Sequence, residues 1–153
     1  MIVTTLTLFF NGLLKKKLLK LSQLACIKKF DALLEKNKIR FEPGSDRVDL
    51  MGQKLLDVIA KLLKTWQVMA LEISGHTDSQ GREEMNQSLS QSRTTAVLQE
   101  IQRRRVSTSN FVARGYGESQ PISKNDTQEG RETNRRIEFR LLNTLKSSLP
   151  DKS

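Results

Sequence analysis

The 153-residue chain is poor in several residue types that would otherwise define its class. It has a single cysteine, Cys26, so no internal disulfide framework can staple it. A single histidine, His76, beside that one thiol leaves too few ligands for a structural zinc site. Aromatic residues make up only 5%, so any core must be aliphatic, and the length is that of one domain with room for a short arm. No stretch reaches the roughly 20 apolar residues that a membrane span requires.

Positive charge is in excess, at +9, but unevenly placed. Residues 1–40 hold nine basic and two acidic side chains, whereas residues 41–153 hold 17 and 15. The excess therefore belongs to the N-terminal arm, and the rest is nearly neutral. A nucleic-acid binder would concentrate positive charge on its main domain. Arg103-Arg104-Arg105 forms a short basic run, but its place at a helix end suits the helix dipole, and no aromatic stacking pattern accompanies it.

Residues 1–20 form an ambiguous leader, apolar and uncharged to Leu14, then Lys15-Lys16-Lys17. A secretory signal has the opposite order. Gln23-Leu24-Ala25-Cys26 faintly matches a lipoprotein cleavage site, but Gln23 stands where such sites usually have Leu, which favours a plain thiol. Over 21–37, Leu24, Ile27, Phe30 and Leu34 recur at helical spacing. This amphipathic helix either packs on the following domain or lies on an anionic membrane. Its charges of both signs favour packing.

Residues 38–143 read as one α/β domain, an α+β sandwich in the order β-α-β-α-β-β. Ile39 to Glu42 alternates as a short strand, closed by Pro43-Gly44-Ser45. Leu55, Val58, Ile59, Leu62 and Leu63 place a helix over about 51–65. Met69, Leu71 and Ile73 alternate into Gly75, and a second helix follows over about 82–105. Residues 110–117 and 136–141 complete the strands, separated by a long loop at 118–133. Two helices on one face of a mixed four-stranded sheet would bury both apolar stripes. Residues 144–153 form a polar, flexible tail.

The second helix contains an anomaly. With Met85 at zero, Met85, Leu89, Ala96, Val97 and Ile101 fall at about 0°, 40°, 20°, 120° and 160°. Arg93 falls within that stripe at about 80°, and Asn86 at about 100°. An inward guanidinium needs an anion or several acceptors. Arg93 therefore either pairs with an acid of the sheet or snorkels at the edge, or it grips a ligand carboxylate. Asp78 lies in the turn that opens the same helix, where α/β folds place ligand contacts. Either Asp78 or Ser79 would serve as the helix cap. If Ser79 caps, Asp78 and Arg93 together suit a zwitterion.

These residues lie within motifs spread through the domain. They are Leu71-Glu72-Ile73-Ser74-Gly75-His76-Thr77-Asp78-Ser79, Asn86, Leu89-Ser90, Arg93, Gly115-Tyr116-Gly117-Glu118, Asn125-Asp126-Thr127, Gly130-Arg131 and Asn134-Arg135-Arg136-Ile137-Glu138. In this order and spacing, residues 38–142 resemble the OmpA-like peptidoglycan-binding domain of OmpA-type porins, Pal lipoproteins and MotB stators. The resemblance implies binding of the peptidoglycan peptide stem without cleavage. It implies that Asp78 takes the ammonium and Arg93 the carboxylate of diaminopimelate, with Thr77, Asn86 and Arg135 lining the site. No cofactor and no metal are implied.

The expected setting is periplasmic and associated with the cell outer membrane, through the N-terminal arm or an upstream region. The family's usual Ala after the arginine is Thr94 here, a mild departure. Two other roles remain open to test. One is an assembly domain of an envelope machine with weak wall binding. The other is an enzyme using His76 and Asp78, although no nucleophile spacing, phosphate loop or metal set accompanies that pair.

Overall fold

A computed structural model describes the backbone of residues 3–65 and 70–142; in the first helix, side chains are described at 11–18, 21, 22, 24, 25 and from 27 onward. The expected Met69 strand position, the tail and the Cys26 side chain lie outside the described residues. Helix α1 runs from Val3 to Lys36, α2 from Leu50 to Thr65, strand β1 from Leu71 to His76 and helix α3 from Glu83 to Arg103. Strand β2 (Phe111–Gly115), helix α4 (Gln128–Asn134) and strand β3 (Arg136–Leu141) follow.

The fold is α+β, with the sheet order β2-β1-β3. β1 pairs with β2 in parallel and with β3 antiparallel. That register places Leu71, Phe111 and Leu141 on one face, followed by Ile73, Ala113 and Phe139, then Gly75, Gly115 and Ile137. Against this face pack Leu56, Ile59 and Leu63 of α2, Val97 and Ile101 of α3, and Phe30 of α1. The expected two-helix layer is therefore present, with the C-terminal part of α1 added to it.

The sheet has three strands among the described residues, not four. The segment expected as the first strand makes only an isolated bridge, Phe41 to Val48. Its backbone groups are used locally. Glu42 N–H donates to the Arg47 carbonyl, and Arg40 C=O accepts from Asp49 N–H. The segment thus folds back to start α2, whose first turn is capped by Asp49 Oδ1 accepting from Gly52 N–H at 2.8 Å. The expected turn is present, with Gly44 at a φ of +66°.

α3 approaches the sheet closely because Gly75 and Gly115 are register partners on the helix-facing side. A Cβ on Gly115 would lie 2.3 Å from Gln91 N, and one on Gly75 would lie 2.7 Å from Thr94 Cγ2. The inward face of α3 is accordingly small and polar at its first half: Asn86, Ser90 and Thr94, then Val97 and Ile101. Met85 is exposed. The inward stripe is thus rotated from the one expected, and Arg93 stands at its border rather than its centre. Thr94, the departure noted in the sequence, is fully buried against Gly75.

Candidate functional site

Arg93, Arg135, Lys38 and Phe41 line one open cleft of about 570 Å³, with His76, Glu132 and Arg136 also on its wall. α3 supplies Arg93, the end of α4 supplies Arg135, and the connection after α1 supplies Lys38 and Phe41.

Arg93 is half-buried. Its Nε donates to the Ser45 carbonyl at 3.0 Å, and its guanidinium carbon sits 4.8 Å from the centre of the Phe41 ring. Burial and the nearby Arg135 charge lower its pKa, against a smaller opposing effect of Asp46. No carboxylate forms an ion pair with Arg93 among the described residues. A planar fork held by a ring and a carbonyl, with its terminal nitrogens unspent, can accept a carboxylate end-on. Lys38 is similar, since its Nζ donates to the Glu132 carbonyl. Burial and Arg135 lower its pKa more than Glu132 raises it.

Asp78 is differently placed. It is buried at the end of β1, and its Oδ1 accepts from Gln80 N–H at 2.9 Å. Its Oδ2 accepts from Arg135 Nη1. Arg135 thus stands between Asp78 and the open cleft, with 38% of its side chain exposed. Of the expected pair, Arg93 lines the cleft and Asp78 does not; Arg135 lies on the cleft wall and pairs with the acid. Neither Asp78 nor Ser79 caps α3, because the N-cap residue is Arg82, which makes no side-chain cap bond.

Thr77 and Asn86 do not line the cleft. Thr77 N–H donates to the Gly117 carbonyl, and its buried hydroxyl has no partner. The Asn86 amide nitrogen donates to the carbonyls of Asp78 and Gln80 and to Glu118 Oε2. These two residues hold the turn that presents Asp78. Sequence reasoning missed Lys38, Phe41 and Ser45 as parts of the site. The apolar alternation of Ile39 and Phe41 was visible, but the fold-back that carries Phe41 and Ser45 to Arg93 was not.

Beneath the site, Asn134 organises the long loop. Its Oδ1 accepts from Ile122 and Ser123 N–H, each at 2.9 Å, and its amide nitrogen donates to the Ser123 carbonyl and Asn125 Oδ1. Arg131 bonds across the same loop to the Asn125 carbonyl, and Arg136 to that of Gln120, as structural residues would. The loop ends in α4, a helix not expected from the sequence, with Thr127 capping Gly130 N–H.

Comparison with known proteins gives a consistent result. The OmpA family matches residues 40–135. The chain is similar to the probable lipoprotein YiaD of Escherichia coli K12, 33% identical over 105 residues, which cover 69% of this chain and 48% of that protein. It thus spans about half the length of that curated relative. The peptidoglycan-associated lipoprotein of Burkholderia pseudomallei superposes with a TM-score of 0.61 at 28% identity, over 70% of this chain and 91% of that one. The cell wall anchor of the type VI secretion system (T6SS) of Pseudomonas aeruginosa gives 0.58 at 30% identity, over 65% and 71%.

Proposed function

The chain belongs to the OmpA family, and on that premise we propose that it binds bacterial peptidoglycan through the diaminopimelate of the peptide stem, without cleaving it. The binding ties the envelope to the cell wall, in the periplasm at the outer membrane. The observation that carries this reading is the open cleft in which Arg93 has a carbonyl and a ring for partners and, among the described residues, no ion-paired carboxylate. Two of the similar structures, a peptidoglycan-associated lipoprotein and a cell wall anchor, support it.

The Asp78–Arg135 pair supplies a mechanism by exchange. The zwitterionic end of diaminopimelate brings one ammonium and one carboxylate. The ammonium replaces Arg135 on Asp78, and the released Arg135 joins Arg93 on the carboxylate. No charge is left unpaired at either end, which matters because an unpaired buried charge costs several kcal/mol, about 3–5. Thr77 and Asn86 keep the turn in place through their backbone and amide bonds.

Asp78→Ala and Arg93→Ala each remove a charged contact, worth about 1.5–3 kcal/mol. Each is expected to abolish pulldown on diaminopimelate-containing sacculi, with an unchanged circular dichroism spectrum. Walls built with lysine in place of diaminopimelate should retain less wild-type protein, and no muropeptide should be released. Equal retention of both variants would remove the site. It would favour a second reading, an assembly domain with weak wall binding, for which the prior neutralisation of Asp78 by Arg135 speaks.

A further inference from the structure

Helix α1 carries apolar side chains on two opposite sides. With Leu14 at zero, Phe30, Leu33 and Leu34 fall at about 160°, 100° and 200°, and these pack on the core. Leu14, Leu18 and Leu21 fall at about 0°, 40° and −20°. These three are 52%, 62% and 54% exposed. Leu13 and Leu24, at about −100° and −80°, lie outside this stripe and are also exposed. Leu14, Leu18 and Leu21 therefore face away from the side by which the helix is attached. Single exposed leucines need no explanation, but a continuous stripe of them does.

Charge selects what covers the stripe. Lys15 and Lys17, at about 100° and −60°, flank it on both sides, and both are exposed. Lys28, also exposed, continues on the same side at about −40°. The first acidic residue of the chain is Asp31. A second copy laid along residues 13–24 would set lysine against lysine with no carboxylate to answer them. An anionic lipid surface accepts both features, since leucines enter the acyl boundary while lysine stems reach back to the phosphates. None of the described helices is long and apolar enough to cross a membrane, so the helix would lie in the plane of the surface.

We propose that the Leu14–Leu18–Leu21 face of α1 is an interfacial docking surface for an anionic phospholipid bilayer. The surface is separate from the wall-binding cleft and does not depend on it. The test is co-sedimentation of the full chain with phosphatidylcholine vesicles with and without about one-third phosphatidylglycerol. Partitioning should be at least about tenfold stronger onto the anionic vesicles and should fall at high salt. Leu14→Ser/Leu18→Ser/Leu21→Ser and, separately, Lys15→Gln/Lys17→Gln should each weaken it by about tenfold, with melting unchanged. Equal partitioning onto neutral vesicles, or unchanged partitioning of both variants, would overturn the proposal. So would a dimer in light scattering that the leucine substitutions dissolve, since the stripe would then belong to a second copy.

Discussion

His76 is held on the polar face of the sheet, stacked on Tyr116 with ring centroids 5.4 Å apart. Both of its ring nitrogens are buried without a hydrogen-bond partner. Burial lowers its pKa to about 4, helped by Arg136 and Arg140 and opposed by Glu138 and Glu72. Glu138 approaches Nε2 at 4.0 Å, but that contact is an ion pair only if the ring is protonated, and desolvation keeps it neutral. Between the ordinary histidine pKa of 6.5 and about 4, the unfolded chain takes up a proton that the folded chain refuses. Stability from this residue is therefore complete above pH 6.5 and falls as the pH drops to about 4, by roughly 2–3 kcal/mol. Urea midpoints at pH 7 and 4.5 should show this slope in the wild type and a flatter one in His76→Phe, which keeps the stack and removes both nitrogens. An identical slope in the two proteins would refute the assignment. Burial raises the Glu138 pKa, but hydrogen bonds from Arg136 and Arg140 outweigh it and lower the net value, so its own contribution is lost only further into acid.

At the scale of elements, α2 and α3 are locked together by one arginine from the run that looked like surface charge. Arg104 Nε donates to Asp57 Oδ1 at 2.8 Å, Nη1 to Glu100 Oε2 at 2.9 Å, and Nη2 to Gln53 Oε1 at 2.7 Å. Its side chain is mostly buried, so Arg104→Ala leaves several of these groups without a partner. The expected cost is about 2–3 kcal/mol in chemical denaturation, against less than about 0.5 for the exposed neighbour Arg103→Ala. The packing of α3 on the sheet is tested by Gly115→Ala. The added methyl would collide with the α3 backbone and should cost about 1–3 kcal/mol. Because Arg93 rides on α3, wall binding should weaken with it.

For the whole molecule, the attachment of α1 rests on Phe30, which is fully buried and stacked on Phe139 with centroids 5.8 Å apart. Phe30→Ala should cost about 3–5 kcal/mol and bring a matching fall in the melting temperature. Trypsin should then cut sooner at Lys28 and Lys29. An unchanged melt would mean that α1 is not part of the cooperative unit. The two proposed binding surfaces differ in place: the cleft lies among β1, α3, the end of α4 and the connection after α1, and the leucine stripe lies on the outward side of α1.

The sequence by itself determined α2, α3, the three paired strands and the apolar faces of α2 and of the strands, but neither α4 nor the fate of the segment around Phe41. The spacing of Leu55, Ile59 and Leu63, the alternation of Leu71 and Ile73, and that of Ile137 and Phe139 each report a buried face, because periodicity is a local property of helix and strand geometry. Motif order likewise points to Asp78, Arg93 and Arg135. Only the tertiary structure decided what those groups touch. The Asp78–Arg135 pair joins residues 57 apart in the chain, and the Arg93–Ser45 bond joins residues 48 apart. The loss of the fourth strand and the rotation of α3 have the same origin. Ile39 to Glu42 alternates as a strand should, yet its hydrogen bonds go to the turn that starts α2. The apolar stripe of α3 yields to Asn86, Ser90 and Thr94 because two glycines on facing strands let small side chains come close. Such choices depend on what meets across space, and a pattern of neighbours along the chain carries no record of it.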